Sequence, residues 1–331
     1  MRLFRIGPIK VFLVSIVIPA ADILCLPLTL AAALWLKLIR RVGVYRMKAS
    51  RALFNRVGVF PIRDHYYEPA FNPSHLRSDL SRDRRLPGLD LDEPAQLALL
   101  ERIAYADELD RLPRRSAPPG QFYYDNPNFP PGDSEFLYSI IRLYRPARIL
   151  EIGSGFSTLM MLNAVAANAV EDPGYDCRIR CIEPYEMPWL EQLPGVEIVR
   201  QRVEELDAAL VRELEANDIL FIDSSHVIRP QGDVLRELLE FLPTLRPGVL
   251  VQIHDIFTPR DYPAEWIVDQ VRLWNEQYLV EAFLSCNTRF QVIGALNFLS
   301  RHHPDHLARR FPVFREKVGG CNPGSLWLLR R

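Results

Sequence analysis

Acidic and imidazole side chains follow two apolar runs in the sequence. The run ILFI leads directly into Asp223 and then His226, and the run VLVQI leads into His254 and Asp255. Carboxylates bind divalent cations, and an imidazole binds a metal ion or accepts a proton near neutral pH. These four side chains are therefore the first candidates for metal or acid–base chemistry.

A glycine-rich stretch follows an earlier apolar run. Gly153 and Gly155 come directly after this run and let the backbone turn sharply and approach a ligand closely. Glu183 ends the next apolar run, and its two carboxylate oxygens can accept hydrogen bonds from both ribose hydroxyls of an adenosine ligand. The stretch therefore predicts a nucleoside cofactor, either a dinucleotide or S-adenosylmethionine.

Strand-like and helical stretches alternate around these residues. Helices of this length between strands imply parallel pairing through right-handed crossovers, and hence an open, mostly parallel twisted α/β sheet with helices on both faces. Ligands bind such sheets outside the carboxyl ends of the strands, where the polar residues above are expected to lie. The predicted strands are 147–153, 178–184, 196–200, 218–225 and 248–255, and the predicted helices are 135–144, 158–170, 204–216 and 233–243.

The glycine-rich stretch separates the two cofactor classes. The dinucleotide fingerprint GxGxxG requires glycine where Thr158 stands. The stretch instead resembles the E/D-x-G-x-G-x-G turn of class I S-adenosylmethionine-dependent methyltransferases, with Ser157 at the last glycine. This resemblance covers residues 132–299 and implies a Rossmann-like methyltransferase fold. It implies S-adenosylmethionine as the cofactor and, as cofactor-binding residues, Glu151, Gly153, Ser154, Gly155, Ser157, Glu183 and Glu204. For Glu204, a solvated glutamate at a helix start is the alternative.

The polar strand ends resemble those of the metal-dependent small-molecule O-methyltransferases of the catechol and macrolide-sugar types. By this resemblance, Asp223, His254 and Asp255 are expected to bind a divalent metal. Because His254 replaces a carboxylate or amide, Mn or Fe suits the site at least as well as Mg. His226 lies where the catechol-type enzymes have a lysine base, so His226 and Asp223 are the expected catalytic residues. A metal-free site with His254 as the base, and a His226 that only caps a helix or lies at the surface, stay open.

The N-terminal part of the sequence is suited to a membrane. Residues 11–36 are almost continuously apolar, and about 20 such residues span a bilayer as a helix. Asp22, Pro19 and Pro27 disturb a straight span, so a bent span and a re-entrant hairpin both remain open. Basic residues after the segment favour a catalytic domain on the cytoplasmic face of the cytoplasmic (inner) membrane. A cleaved signal peptide and a buried soluble hairpin are the alternatives.

The composition narrows the class of protein further. With 48% hydrophobic residues, 24% charged residues and a net charge of -1, the chain is an ordinary globular protein, and no nucleic acid is expected as a partner. The five cysteines are too scattered for a disulfide framework, and Cys177 and Cys181 are expected to be buried thiols. The predicted regions are a membrane-anchoring segment (1–45), a connector with an accessory helix at 94–112 (46–118), a methyltransferase domain (119–300) and a C-terminal extension (301–331).

Taken together, these features predict a membrane-bound transferase that O-methylates a small hydroxylated acceptor. A sugar, a lipid-linked saccharide and a secondary metabolite all fit, and the membrane segment favours a lipid-linked acceptor because tethering raises the local concentration of such a substrate. N-methylation and a homo-oligomeric state remain open. The alternatives are a non-catalytic membrane-bound scaffold or sensor with the same fold, and a NAD-dependent oxidoreductase, which is disfavoured because the sequence contains no convincing hydride-transfer set.

Overall fold

The computed structural model of the chain contains two compact units, Met1–Arg77 and Ser78–Arg331. The boundary between them lies inside the predicted connector, so the second half of that connector belongs to the larger unit. The reason is burial, because Leu99 and Leu100 pack in the main apolar core of that unit. The structure describes residues 17–62, 67, 69, 72–115, 118, 120–185, 187 and 189–331.

The first unit contains one long apolar helix, α1 (Ile18–Val42), and a short helix, α2 (Lys48–Val57). The 25 residues of α1 extend over about 37 Å, which exceeds the roughly 30 Å of a bilayer core. The helix continues through Pro27, so over these residues the hairpin alternative is wrong and the bent span remains. By length and composition α1 can cross a membrane, although a signal sequence near an N-terminus has the same properties. Residues 11–16 of the predicted segment lie outside the described residues.

The second unit contains a seven-stranded sheet in the order β3-β2-β1-β4-β5-β7-β6. The first five strands are parallel, as predicted, and they match the five predicted strands. Their order reverses between β1 and β4, which makes this point the topological switch of the sheet. The strands are β1 (Arg148–Ile152), β2 (Arg178–Ile182), β3 (Val196–Val199), β4 (Ile219–Ile222), β5 (Leu250–Ile253), β6 (Phe290–Ala295) and β7 (Leu326–Arg330).

Helices cover both faces of this sheet. The predicted helix at 204–216 is reduced to a 3₁₀ turn, Val203–Glu205, and a single turn of α-helix. The predicted accessory helix at 94–112 is split in two because the backbone of Ile103 is extended. The α-helices are α3 (Glu93–Arg102), α4 (Ala106–Arg111), α5 (Asp133–Tyr144), α6 (Phe156–Glu171), α7 (Ala209–Arg212), α8 (Asp233–Arg236), α9 (Leu242–Thr244), α10 (Glu276–Leu284), α11 (Leu296–His302), α12 (Pro304–Arg310) and α13 (Pro312–Glu316). The π-helical segments are Glu237–Phe241, between α8 and α9, and Glu265–Asp269, and the remaining 3₁₀ turns are Pro73–His75 and Leu190–Gln192.

The last strand corrects the prediction that residues 301–331 form an extension. β7 lies between β5 and β6 and is antiparallel to both. Its residues Leu326 and Trp327 are fully buried. The end of the chain is therefore part of the sheet, because the inner edge of β5 would otherwise leave its backbone hydrogen-bonding groups unpaired.

Two apolar clusters, one on each face of the sheet, hold the strands in place. Alternate residues of one strand enter opposite clusters, so that Ile149 and Phe221 belong to one cluster, and Leu150 and Ile222 to the other. A strand that is buried on both faces reads as an apolar run, which is continuous in β4 (ILFI), while β1 and β5 each include one buried polar residue, Glu151 and Gln252. This burial fixes the register of the sheet and hence the position of the polar residues that follow each strand.

Candidate functional site

Four neighbouring strands end at the same level of the sheet. Ile152 pairs with Ile182 on one side and with Ile222 on the other, and Ile222 pairs with Ile253. The residues that follow these isoleucines therefore begin one shared carboxyl edge at the topological switch. They are Gly153, Glu183, Asp223 and His254.

The turn formed by Gly153, Ser154 and Gly155 after β1, here called the glycine turn, makes a close backbone contact with the end of β4. Gly153 has a φ of 76°, and a Cβ atom there would lie 2.0 Å from the carbonyl oxygen of Asp223. Only glycine fits this position, because the conformation and the contact both exclude a side chain. Gly155 differs, since its φ is 179° and a Cβ atom would meet nothing within 4 Å. The space in front of Gly155 is therefore open and can receive a ligand.

The two glycines offer a matched pair of alanine variants. Gly153→Ala is expected to destabilise the protein by about 3 kcal/mol or more, because the new methyl group collides with a buried backbone oxygen. Gly155→Ala is expected to leave the free energy of unfolding nearly unchanged but to weaken S-adenosylmethionine binding by roughly tenfold, because its methyl group enters the open space. Urea unfolding and equilibrium dialysis measure the two effects. Unchanged cofactor binding by Gly155→Ala would place the cofactor elsewhere.

Glu151 lies inside the protein and supports the glycine turn from below. It is fully buried, and its carboxyl oxygens accept hydrogen bonds from Ser157 Oγ at 2.7 Å, Thr158 Oγ1 at 2.6 Å and Cys181 Sγ at 3.0 Å. Burial raises its pKa to about 7. Glu151 and Ser157 therefore bind each other and fix the start of α6 against β1.

The raised pKa of Glu151 makes stability depend on pH. Between its ordinary pKa of 4.5 and about 7, the folded state keeps a proton that the unfolded chain has lost, so this group lowers the free energy of unfolding as pH rises through that window. At 1.36 kcal/mol per unit the loss totals about 3 kcal/mol. Glu151→Gln is expected to make the decline shallower by up to one proton, while Glu135, whose burial also raises its pKa to about 7, keeps its share. Urea unfolding at several pH values tests this, and identical slopes for wild type and variant would contradict it.

Glu183 lies against the glycine turn, as expected. Its carboxylate accepts hydrogen bonds from the backbone N–H of Ser154 at 3.3 Å and of Tyr185 at 2.9 Å. Each oxygen keeps a lone pair for a ligand hydroxyl. Glu204 lies in the 3₁₀ turn after β3, half-buried, with its carboxylate 3.6 Å from the guanidinium of Arg229.

Asp223, His226 and Asp255 converge beside the glycine turn. Their ligating atoms all lie within 4.8 Å of one another, which makes them a candidate metal group among the described residues. His226 Nε2 is 3.3 Å from Asp223 Oδ1 and 3.7 Å from Asp255 Oδ2. His226 and Asp255 both adopt left-handed backbone conformations, with φ of 60° and 57°. Such strain in non-glycine residues is typical of functional sites.

Glu276, at the first position of α10, completes this cluster and was missed by the sequence analysis. Its Oε2 lies 2.8 Å from His226 Nδ1, and its side chain is fully buried. The backbone N–H of Glu276 also donates to the carbonyl oxygen of His226 at 3.2 Å. This carboxylate fixes the orientation of the imidazole, so that Nε2 faces the two aspartates. No local pattern distinguishes Glu276 from other glutamates at helix starts, so only the tertiary structure identifies it.

The carboxylates around His226 favour its protonated form. Burial alone would lower the pKa of the imidazole, but the hydrogen-bonded carboxylates of Asp223 and Glu276 hold it well above its ordinary value. Burial opposes ionisation of Asp223 as well, yet the neighbouring imidazoles of His254 and His226 bring its pKa below the ordinary value. These shifts favour the ionised form of Asp223 and the protonated form of His226 when the two groups are in contact.

His254 lies next to this cluster but outside the candidate metal group. Its ring is buried, packs against Phe129 with the ring centroids 5.4 Å apart, and places Nδ1 3.3 Å from Gln252 Nε2 and 3.4 Å from Ser325 Oγ. Its Nε2 is 3.7 Å from Asp255 Oδ1. The arrangement thus differs from the predicted ligand set, because His226 rather than His254 supplies the imidazole that faces both carboxylates.

The residues of the glycine turn and the cluster are suited to a nucleoside cofactor and a polar acceptor. The turn offers an open space in front of Gly155 and a carboxylate at Glu183, while Asp223 joins the turn directly to the cluster. Two carboxylates and an imidazole form a donor set that suits Mn²⁺ or Fe²⁺ at least as well as Mg²⁺.

Comparison with known proteins agrees with this arrangement. Residues 150–256 match a family model described as "Methyltransferase domain". This range runs from β1 to just beyond β5 and contains the glycine turn, Glu183 and the candidate metal group. An uncharacterised protein of Archaeoglobus fulgidus is 31% identical over 198 residues, which cover 55% of this chain and 84% of the relative.

Two solved structures resemble the chain more distantly. An O-methyltransferase from Bacillus cereus in complex with SAH is 15% identical, with a TM-score of 0.35, over 71% of this chain and 91% of that one. MycE, from the mycinamycin biosynthetic pathway, in complex with Mg, SAH and mycinamycin VI, is 15% identical with a TM-score of 0.29. The match covers 57% of this chain and 47% of MycE, so the chain spans about half the length of that protein.

The family match falls on the half of the sheet that carries the switch point. Within it lie the turn that excludes a side chain at Gly153, the open space in front of Gly155 and the carboxylate of Glu183. Residues 150–256 therefore form a methyltransferase domain, built on a Rossmann-like sheet, of the class I type that uses S-adenosylmethionine.

Proposed function

We propose that this methyltransferase O-methylates a small hydroxylated acceptor at the cytoplasmic face of a membrane, with His226 as the base. The observation that carries the proposal is the position of the His226 imidazole. It is held by Glu276, faces Asp223, and lies beside the glycine turn. A hydroxyl acceptor needs a group that removes its proton, and this imidazole is placed to do so.

Residues on both sides of the switch point would hold the cofactor. The open space in front of Gly155 would receive it, Glu183 would accept hydrogen bonds from its ribose hydroxyls, and Ser154 would line the turn. Glu151 and Ser157 would act by keeping the turn in shape, since their side chains bind each other. When bound, S-adenosylmethionine supplies an electrophilic methyl group on a sulfonium cation.

The cluster would bind and deprotonate the acceptor. Nε2 of His226 would take the hydroxyl proton as the oxygen gains the methyl group, and Asp223 would then accept a hydrogen bond from the protonated Nε2. Glu276 would stabilise the resulting imidazolium through Nδ1. Because the surrounding carboxylates raise the pKa of His226, the base is expected to be most active above neutral pH.

A divalent metal is the second way to balance the carboxylates of this cluster. Asp223, Asp255 and Nε2 of His226 would hold it, and Glu276 would orient the imidazole as a carboxylate does in many metal–histidine pairs. The metal would lower the pKa of a bound acceptor hydroxyl. His254, the imidazole expected from the sequence resemblance, would then orient the carboxylate of Asp255, whose Oδ1 lies 3.7 Å from His254 Nε2.

The N-terminal unit supports a location at the membrane. Helix α1 is long and apolar enough to span it, and basic residues at the end of α1 and in α2 would remain on the cytoplasmic side. In α2 the apolar side chains Leu53 and Val57 are exposed on one side, with Lys48 and Arg51 on the other, which suits the surface of an anionic bilayer. Tethering there favours an acceptor such as a lipid-linked saccharide.

A metal-scanned methyl-transfer assay tests the proposed reaction. Full-length protein receives radiolabelled S-adenosylmethionine and membrane extract, first with a chelator and then with Mg²⁺, Mn²⁺ or Fe²⁺ added back. Loss of transfer in chelator with recovery on one metal would show that a metal held by the cluster, and not His226 as a base, activates the acceptor hydroxyl, whereas full transfer in chelator would support His226 as the base. Labelled product without an oxygen–methyl bond, or no transfer under any condition, would contradict the proposal.

A further inference from the structure

A guanidinium group lies against two tryptophan rings next to the catalytic cluster. The guanidinium carbon of Arg272 is 4.3 Å from the ring centroid of Trp266 and 4.5 Å from that of Trp274. The two indoles meet edge to face, with centroids 5.2 Å apart and an interplanar angle of 79°. Both are part of a small apolar cluster with Phe257 and Tyr262. The rings thus restrict the guanidinium to one region of space.

One of these rings also contacts the proposed base. Trp274 lies against the His226 imidazole, with the ring centroids 4.2 Å apart. Arg272 is therefore separated from His226 by a single indole. Burial raises the pKa of Asp255, and the positive groups that oppose this rise include His254, His226 and Arg272. The cation of Arg272 is thus close enough to influence the cluster.

The backbone turns sharply to bring Arg272 back to these rings. Val271, the preceding residue, has a φ of 52°, which a β-branched side chain rarely adopts. The turn lets the N–H of Arg272 donate to the carbonyl oxygen of Trp266 at 2.8 Å. Val271 itself is exposed, so its side chain gains no packing from this conformation.

The N–H groups of the Arg272 guanidinium are available for a ligand. Within the described part of the chain, Arg272 makes no side-chain hydrogen bond and no ion pair, although Asp255 is a carboxylate in the same region. A guanidinium stacked on aromatic rings keeps its N–H groups free along its edge, and these match the oxygens of a phosphate or carboxylate in pairs.

We propose that Arg272, held against Trp266 and Trp274, binds an oxyanion of the acceptor, a phosphate or carboxylate group close to the hydroxyl that is methylated. The inference rests on the proposed function, because it names the chemical class of the acceptor. It also fits the membrane location, where phosphate occurs both in lipid headgroups and in lipid-linked sugars. The residue would act in acceptor binding and not in proton transfer.

Tryptophan fluorescence offers a direct test, because the anion would bind next to two indoles. The full chain in neutral detergent micelles is titrated with inorganic phosphate, with acetate, and with micelles that contain phosphatidic acid. We expect a saturable change in emission with at least one of these probes. In Arg272→Gln the response is expected to be weaker by roughly tenfold or more, and in Arg272→Lys, which keeps the charge but not the fork, to be intermediate.

Two controls separate anion binding from folding and from the proposed reaction. Arg246→Gln removes a surface arginine that pairs with Glu215, and it is expected to leave the response unchanged. Cofactor binding by Arg272→Gln, measured by calorimetry, should equal that of wild type and shows that the variant is folded. A wild-type protein that responds to none of the probes, or an equal response in Arg272→Gln, would overturn the inference. A wild type that binds anions but not S-adenosylmethionine would instead refute the proposed function.

Discussion

Asp223→Asn is expected to lower the rate of methyl transfer by about a hundredfold or more. Asp223 contacts His226 at 3.3 Å and belongs to the candidate metal group, so its charge is needed whether the site binds a metal or acts through the imidazole alone. Asparagine keeps the shape of the side chain and the contact between the backbone of residue 223 and Gly153. The fold and the cofactor turn should therefore remain.

Initial rates with radiolabelled cofactor and membrane extract measure this effect. Asp305→Asn, which changes an exposed aspartate in the first turn of α12, is the matched control and should retain full activity. Cofactor binding by Asp223→Asn should stay within about threefold of wild type, since the carboxylate acts through His226 or a bound metal. An Asp223→Asn enzyme with near wild-type rate would remove this carboxylate from the reaction.

Glu276→Gln is expected to lower kcat by roughly a hundredfold and to move the pH dependence of the reaction. The carboxylate of Glu276 is buried against Nδ1 of His226 and raises the pKa of the imidazole. Its removal lowers that pKa, so the rising limb of the pH–rate profile should move to lower pH, because the base must be unprotonated to act. A positioning residue without influence on the imidazole would change the rate but not the position of the limb.

The same helix supplies the control for this variant. Glu281 lies on α10 but binds Arg84 and Thr258, away from His226. Glu281→Gln is expected to lower the free energy of unfolding and to leave the rising limb of the pH–rate profile at the same pH as in wild type. If His226 holds a metal, Glu276→Gln should instead raise the metal concentration needed for activity by about 10- to 100-fold. A normal rate with an unshifted limb and unchanged metal requirement would contradict a role for Glu276.

Sequence patterns were sufficient to predict the five parallel strands of the sheet. Short apolar runs that alternate with helical stretches predicted β1 to β5, and the run is continuous in β4, which is buried on both faces. The register between Ile152, Ile222 and Ile253 then places the predicted polar residues at one edge. A tight turn was predicted from Gly153, and the contact of this residue with the carbonyl oxygen of Asp223 shows why the position requires glycine.

Other parts of the fold depend on contacts distant in sequence. β7 is only five residues long, and its place between β5 and β6 is decided by pairing across about 75 residues, which no local pattern records. Residues 204–216 have helical periodicity, yet only one turn of α-helix forms there, since tertiary contacts override propensity.

The sequence predicted His254 as the imidazole that faces the two aspartates, whereas in the structure this imidazole belongs to His226. The cause is again a feature that no local pattern records. From the sequence, His254 and Asp255 read as an adjacent ligand pair, but β5 ends at Ile253 and the backbone leaves strand geometry at Asp255, which has a φ of 57°. His254 consequently turns toward Gln252 and Ser325, while the left-handed backbone at Asp255 and at His226 brings these two side chains together. Backbone conformations of this kind are not readable from residue types.

The placement of the cofactor is tested most directly by isothermal titration calorimetry of the full chain in detergent micelles. Titration with S-adenosylmethionine should give saturable heat at one ligand per chain, titration with NAD should give none, and Glu183→Gln should weaken S-adenosylmethionine binding by roughly tenfold because one ribose contact loses its charged acceptor. Clear binding of NAD without heat from S-adenosylmethionine would contradict this placement, and so would unchanged affinity in Glu183→Gln.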